Sequence, residues 1–269
     1  MVADEFSAHS VPVSPAATVL VLRDHPDLQV LMVRRTRTVA FAPDAWVFPG
    51  GRVDAADFDS SLFDACDQLS DADASRRLDV DDGGLAWWVA AAREVLEEST
   101  ILLGESPRMA VPDLAAQLRT APDSFASLVK QQEVRFDCSL VQEVARFITP
   151  LGPPRRFDAR FFVARMPEGQ EAMHDDGEIV DLKWVNPIQA LSHHAKGTFG
   201  MISPTIRMLR TLERFTSVAH VMEVAAECRP YQTIRVADPD GEYRVLLPGD
   251  EGYDSASGLI EKGHIRLYL

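Results

Sequence analysis

One helical segment with three carboxylates on one side constrains this chain more than any other feature. Residues 85–103 contain neither glycine nor proline and predict a long helix. Within it, Glu97 and Glu98 follow Glu94 by three and four residues, so the three side chains share one side. Like charges this close repel, and a divalent cation that prefers carboxylate oxygens, Mg²⁺ or Mn²⁺, relieves the repulsion. The pattern therefore predicts a metal site, with a solvated acidic helix face as the alternative.

The residues upstream of this helix favour the metal site. Gly50 and Gly51 follow a Trp-Val-Phe-Pro run, and Asp57 comes after five further residues. Arg93 stands directly before Glu94. With these residues the chain resembles the Nudix hydrolase family, whose motif reads Gly, five residues, Glu, seven residues, then Arg-Glu-apolar-x-Glu-Glu-x-Gly-apolar.

The chain departs from that motif in three places. Asp57 stands where the family has Glu, and Thr100 stands where it has Gly. The seven-residue spacer is replaced by the much longer segment 58–92. This pattern is similar to a Nudix subgroup that includes the peroxisomal coenzyme A diphosphatase-type enzymes. The resemblance covers roughly residues 16–215.

The resemblance implies roles for the motif residues in hydrolysis of a diphosphate. It implies a set of ligands for Mg²⁺ or Mn²⁺, namely the carboxylates of Glu94, Glu97 and Glu98 and the backbone carbonyl of Gly50 or Gly51. Glu94 is expected either to bind metal or to orient the attacking water. Arg93 is expected to fix the Glu97 carboxylate through a charge-assisted hydrogen bond.

Four further residues are candidates for the same site. Glu178 lies just before a predicted strand, where several Nudix enzymes carry a general base; the alternative is a loop carboxylate in the acidic run 175–178. Arg35 and Arg156 are the best candidates to bind phosphate, because guanidinium groups suit bidentate contacts. Each of the two has a surface or salt-bridging role as its alternative. Gly51 lets the backbone approach the substrate closely.

Composition limits the partners of the protein. The net charge is −14, and a nucleic-acid binder needs a basic surface to displace counterions. An acidic chain is also repelled by anionic membranes, and no apolar run approaches the length of a membrane span. Three widely spaced cysteines without a CxxC pair fit a reducing compartment. We therefore expect a cytoplasmic protein that binds a small diphosphate and neither nucleic acid nor membrane.

Strand-like and helix-like segments alternate along the chain and predict an α/β fold. With the family resemblance, we expect an α/β/α sandwich with a mixed sheet, helical insertions and a C-terminal extension. The expected boundaries are an arm at 1–14, a Nudix domain at 15–215 with insertions at about 54–84 and 105–140, and the extension at 216–269. The extension is expected either to cap the core or to form a homodimer interface.

The leading hypothesis is hydrolysis of a diphosphate linkage in a nucleotide derivative. Coenzyme A or an acyl-coenzyme A is the first substrate hypothesis, with ADP-ribose, NADH and dinucleoside polyphosphates as alternatives. A second hypothesis is a non-catalytic Nudix module that senses a nucleotide. A third, an isopentenyl diphosphate isomerase-like enzyme, is disfavoured because it needs a cysteine facing the substrate, and Cys66 and Cys138 both fall in the predicted insertions.

Overall fold

The computed structural model describes residues 11–39, 42–149, 154–174, 177–237 and 244–269. Most of the predicted N-terminal arm, residues 1–10, lies outside this range, as do Asp175 and Asp176 of the acidic run. The strands are β1 Val13–Asp24, β2 Leu28–Arg35, β3 Trp46–Val47, β4 Gly50–Arg52, β5 Cys66–Asp67, β6 Gly104–Glu105, β7 Arg135–Asp137, β8 Val141–Ile148, β9 Arg156–Arg165, β10 Ile179–Val185, β11 Gln232–Ala237, β12 Arg244–Leu246 and β13 Gly258–Ile265. The helices are α1 Ser60–Phe63, α2 Asp71–Leu78, α3 Leu85–Ser99, α4 Val111–Thr120, α5 Phe125–Gln132, α6 Pro187–Ala195, α7 Ser203–Leu212 and α8 Val218–Ala226.

A mixed sheet runs through the molecule in the order β10-β2-β1-β9-β8-β13-β11-β12, with β3 beside β2 and β4 beside β1. The central strand β1 is antiparallel to β2 and parallel to β9. Val19, Leu20, Val21 and Leu22 are all fully buried, as expected for a strand that is covered on both faces. A second, small sheet joins β5, β7 and β6.

The alternating side chains of β1 serve two separate cores. Val19 and Val21 pack with α3 on one face of the sheet, while Leu20 and Leu22 pack with α6, α7 and α8 on the other. A third cluster joins the outer side of α3 to the inserted helices α1, α4 and α5. The structure therefore confirms the α/β/α sandwich, and the insertions form a further layer over α3.

The helix predicted around the three glutamates is shorter in the structure. The helix predicted over 85–103 ends at Ser99, and residues 101–103 continue as buried, non-helical chain. Their apolar character comes from packing between two clusters and not from a helical repeat.

The C-terminal extension is part of the main sheet. Its last strand β13 pairs with β8 through His264↔Arg146 and Ile265↔Ala145, and β11 continues the sheet outward. Helix α8 buries Val221 and Val224 in the core of the sandwich. Every helix in the described ranges is too short or too polar to cross a lipid bilayer.

Candidate active site

Helix α3 carries its carboxylates against the backbone of β4. Strand β4 pairs with β1 through Ala17↔Gly51 and Thr18↔Gly50, which brings it under the middle of the helix. A Cβ on Gly51 would lie 2.4 Å from Oε1 of Glu94, and one on Gly50 would lie 2.3 Å from the carbonyl oxygen of Ala17. At Gly50 the neighbouring backbone leaves no space for a side chain, whereas at Gly51 a side chain would force the Glu94 carboxylate to move.

The three glutamates of α3 occupy different environments. Glu98 is buried and accepts a hydrogen bond from the backbone N–H of Gly50 at 3.0 Å. Glu94 accepts one from Nη1 of Arg93 at 2.8 Å. Oε1 of Glu97 is buried without a hydrogen-bond partner among the described residues. The site thus combines two engaged carboxylates with one buried oxygen that is free to bind a ligand.

Burial makes the ionised form of these carboxylates costly. Loss of water contact, reinforced by repulsion from Glu97, raises the pKa of Glu94 to about 7. The same desolvation, with repulsion from Glu94, holds the pKa of Glu98 well above its usual range, and desolvation also raises the pKa of Glu97. A divalent cation bound here offsets this cost.

The donor set suits a hard divalent ion, but the ligands are not gathered around one point. In the described part of the chain, no three Asp, Glu, His or Cys side chains are arranged to hold a metal ion as they stand. Glu94 and Glu98 are turned to Arg93 and Gly50, respectively. The free Oε1 of Glu97 and the raised pKa values still fit a cation, because carboxylate oxygens are the ligands that Mg²⁺ and Mn²⁺ prefer.

Arg93 makes its strongest contacts with Asp57. Its Nε and Nη2 donate to the two oxygens of Asp57 at 2.9 and 2.8 Å, a bidentate pair that is buried on both sides. Nη1 donates to Glu94, whereas Glu97, the partner expected from the sequence, lies 3.5 Å away as an ion pair. Asp57, which stands where the family motif has Glu, therefore anchors the arginine of the motif.

The structure brings two other predicted residues together beside the carboxylates. Strand β10 pairs with β2, with Ile179 opposite Arg35. This register places the carboxylate of Glu178 in direct contact with Nη2 of Arg35. Nη1 of Arg35 in turn lies 3.8 Å from Oε1 of Glu98. Arg35 therefore connects the candidate base to the buried end of the glutamate cluster.

Arg156 is not part of this cluster. It pairs in register with Val13 of β1, four residues before Ala17, which faces Gly51. At about 3.3 Å per residue, that separation along β1 is roughly 13 Å. Its Nε donates to the carbonyl oxygen of Thr149 at 3.0 Å. A contact of Arg156 with substrate stays a prediction.

Two residues outside the predicted set hold the end of α3. Thr100 adopts left-handed backbone angles, φ 57° and ψ 30°, which explains why the family motif has Gly here. Arg119, from the inserted helix α4, donates to the carbonyl oxygen of Glu97 at 2.7 Å and to the Thr100 hydroxyl at 2.6 Å. The sequence carries no signal for this contact, because α4 and α3 meet only in the folded chain.

The comparisons with known proteins identify the family of this chain. A family model described as the NUDT19 Nudix domain matches residues 69–212, more than half of the chain. This chain belongs to that Nudix family. The match includes the whole of α3, and with the relatives below it identifies the protein as a Nudix-type diphosphatase.

Curated relatives of this Nudix protein include acyl-coenzyme A diphosphatases. The Xenopus laevis protein is 23% identical over 84% of this chain and 72% of its own length. The Homo sapiens protein is 26% identical over 87% of this chain and 74% of its own length. A solved Nudix hydrolase from Alicyclobacillus acidocaldarius is 27% identical, with a TM-score of 0.67 over 80% of this chain and 97% of that one.

Proposed function

We propose that this Nudix protein hydrolyses the diphosphate linkage of coenzyme A or an acyl-coenzyme A, using a divalent metal, Mg²⁺ or Mn²⁺. The single observation that carries the catalytic part is the buried glutamate cluster of α3, pressed against β4 with one carboxylate oxygen free. The substrate class rests on the relatives in Xenopus laevis, Gallus gallus and Homo sapiens, which are named acyl-coenzyme A diphosphatases.

We assign metal binding to Glu94, Glu97 and Glu98, with a backbone carbonyl from Gly50 as a further ligand. When bound, a divalent ion neutralises the oxygens of the diphosphate and lowers the pKa of the attacking water. Arg93 holds the Glu94 carboxylate in place, and Asp57 holds Arg93. These contacts hold Glu94 beside β4, and metal binding requires the carboxylates of Glu94 and Glu98 to turn towards the ion.

The proton of the attacking water needs an acceptor, and two carboxylates are candidates for this role. Glu94 lies in the buried cluster and contacts Arg93, and its carboxylate can act as the base when it does not bind the metal. Glu178 is half-exposed and rests on Arg35 at the edge of the same cluster. We assign the base to one of these two, and Arg35 to the phosphate of the substrate. We also assign a backbone contact with substrate to Gly51.

The test is a hydrolysis assay on purified protein with Mg²⁺ or Mn²⁺. The substrate panel is coenzyme A, acetyl-coenzyme A, NADH, ADP-ribose and a dinucleoside polyphosphate. Glu97→Gln and Glu98→Gln are the test variants, and Glu168→Gln, on the exposed surface, is the matched control. We expect cleavage of the coenzyme A compounds, loss of most of the rate in both test variants, and full activity in the control.

Other outcomes change the assignment in defined ways. If only NADH, ADP-ribose or a dinucleoside polyphosphate is cleaved, the protein is a hydrolase but the assignment of coenzyme A as substrate is rejected. No cleavage of any compound, together with a rise in melting temperature on adding nucleotide, rejects catalysis in favour of a sensor. Location in the cytoplasm and assembly into a homodimer stay predictions.

A further inference from the structure

Two of the three cysteines meet beside the small sheet formed by β5, β7 and β6. Cys66 lies in β5 and pairs in register with Phe136 of the parallel strand β7. Cys138 follows β7 directly and starts a one-turn helix, Cys138–Leu140. Phe136 and Cys138 are two residues apart in extended chain, so their side chains leave the backbone on the same side. The strand pairing therefore brings together two thiols that are far apart in sequence.

The thiols of Cys66 and Cys138 are in direct contact. The S–H of Cys138 donates a hydrogen bond to the sulfur of Cys66, and the S–H of Cys66 donates to the carbonyl oxygen of Leu62 at 3.5 Å. Cys138 belongs to the buried cluster that packs under α3, and Cys66 packs against the same cluster. Both are free thiols. Because the sulfurs already touch, only a short approach separates this pair from a disulfide.

Solvent reaches the two thiols unequally. Cys66 is partly exposed, and its neighbour Ala65 lines an open surface groove together with Arg135. The Arg135 guanidinium, which Asp67 holds through a hydrogen bond of 3.0 Å, lies within electrostatic range of the Cys66 sulfur. A cation in this position attracts a thiolate, which is the reactive form of cysteine. Cys66 is therefore the thiol that an agent from solvent meets first.

Cys138 is suited to react second. It is only 5% exposed, and its hydrogen bond to Cys66, together with burial, raises the pKa of its thiol. A protonated, buried thiol is a poor target for an oxidant from solvent. Its sulfur nevertheless touches Cys66, so it is in place to attack that sulfur once Cys66 has been oxidised.

We propose that Cys66 and Cys138 form an oxidation site at which a peroxide closes a reversible disulfide. The Cys66 thiolate attacks one oxygen of hydrogen peroxide and the O–O bond breaks, which leaves a sulfenic acid on Cys66 and releases hydroxide, protonated to water. The Cys138 sulfur then displaces the hydroxyl from the Cys66 sulfur, and that hydroxyl leaves with the Cys138 proton as a second water. In total, two thiols lose two electrons and one peroxide gains them.

The expected consequence of the disulfide is a more stable folded protein. The bond would join β5 of the insertion to the chain that leads into β8, and α3 would lie inside the closed loop. A cross-link around a loop this long restricts the unfolded chain more than the folded one. In a reducing compartment, such disulfides are transient and respond to oxidants, because cellular thiols reopen them by exchange. The proposal goes beyond the hydrolytic activity and does not depend on it.

The test treats the reduced, folded protein with hydrogen peroxide and maps the cysteines by mass spectrometry. Catalase stops the reaction, the remaining thiols are blocked with iodoacetamide under denaturing conditions, and the peptides are analysed without reduction. The exposed Cys228 serves as the internal reference for non-specific oxidation. The same treatment in urea reports disulfide formation that does not need the fold. Cys228→Ser is the control variant, and Cys138→Ala, with dimedone present, tests the order of reaction.

We expect a peptide linked through Cys66 and Cys138 in the wild type and in Cys228→Ser, formed about ten-fold faster in the folded protein than in urea, because the sulfurs are already in contact. Dithiothreitol should remove the link, and the oxidised protein should melt several degrees above the reduced one. Cys138→Ala should carry a dimedone adduct on Cys66.

Two results of this experiment would overturn the proposal. The first is that Cys66 and Cys138 both stay reduced in the folded wild type at a peroxide dose that oxidises Cys228. The second is that the linked peptide forms as fast in urea as in the folded protein, because the contact between the thiols then plays no part. Both results come from the wild type, so neither depends on a variant that folds.

Discussion

Asp57 and Arg93 are joined by two hydrogen bonds of 2.9 and 2.8 Å, although residues 58–92 separate them in sequence. The pair is buried, and its arginine also contacts Glu94. It therefore connects the loop after β4 to the glutamate cluster. The shorter side chain of Asp57, compared with the Glu of the family motif, still reaches its partner.

Replacing Asp57 with Asn should weaken both folding and catalysis. The variant leaves the buried Arg93 with less compensating charge, and breaking a buried pair of this kind costs about 3 kcal/mol. We expect a loss of that order in urea unfolding and a fall in kcat of at least ten-fold. Asp57→Glu, which keeps the charge, is the control. If Asp57→Asn has the same free energy of unfolding and the same kcat as the wild type, the pair does not anchor Arg93.

The metal-free protein should lose stability as pH rises from about 4.5 to 7. The ordinary pKa of Glu94 is 4.5, and burial raises it to about 7 in the folded protein. Between these values the unfolded chain is ionised while the folded chain holds the proton, so rising pH favours unfolding. The raised pKa values of Glu97 and Glu98 act in the same direction. The size of the effect is on the order of 3 kcal/mol.

Urea unfolding with a chelator, from pH 5 to pH 8, measures this dependence. Glu94→Gln, which cannot ionise, should show a shallower decline than the wild type over the same range. Adding Mg²⁺ should restore most of the stability at pH 8, because the ion stabilises the ionised carboxylates. Parallel pH profiles for the two proteins would contradict the shifted pKa of Glu94.

The hydroxyl of Thr100 should contribute more to the stability of the folded protein than the shape of its side chain. It accepts from Arg119 at 2.6 Å and donates to the carbonyl oxygen of Met173 at 3.1 Å. Thr100→Val keeps the shape and leaves these partners unsatisfied, which costs about 1–3 kcal/mol. Thr100→Ser keeps the hydroxyl and should remain within about 1 kcal/mol of the wild type in urea unfolding.

Arg119→Gln tests the same contact from the inserted helix. Arg119 also donates to the carbonyl oxygen of Glu97. The variant therefore removes a hydrogen bond from the end of α3 that carries Glu97, a proposed metal ligand. We expect the Mg²⁺ concentration for half-maximal activity to rise several-fold, with a smaller effect on the KM for substrate. A change in KM alone would assign Arg119 to substrate binding instead.

Gly51→Ala should abolish most activity while the fold survives. The added Cβ would lie 2.4–2.6 Å from three atoms of the Glu94 carboxylate, so that side chain must move away. We expect kcat to fall at least ten-fold and circular dichroism to stay unchanged. Gly200→Ala is the matched control, because nothing lies within 4 Å of a Cβ at that position. Full activity in Gly51→Ala would place Glu94 outside the catalytic machinery.

The sequence determined the parts of this protein that depend on local periodicity. The three glutamates share one side of α3 because three- and four-residue spacings repeat with the helix. Strands β1 and β2 consist of short apolar runs on either side of a His-Pro-Asp turn, and their antiparallel pairing is local. These features need no information about distant residues, so local patterns are sufficient to predict the shared face of the three glutamates and the α/β class.

Only the tertiary structure decided which distant residues complete the site. The pairing of Arg93 with Asp57, of Arg35 with Glu178 and of Arg119 with Thr100 each joins separate elements. The early end of α3 depends on apolar residues that pack between two clusters instead of continuing the helix. Long-range packing determines these contacts, and a local sequence pattern does not specify which distant residue a side chain will contact.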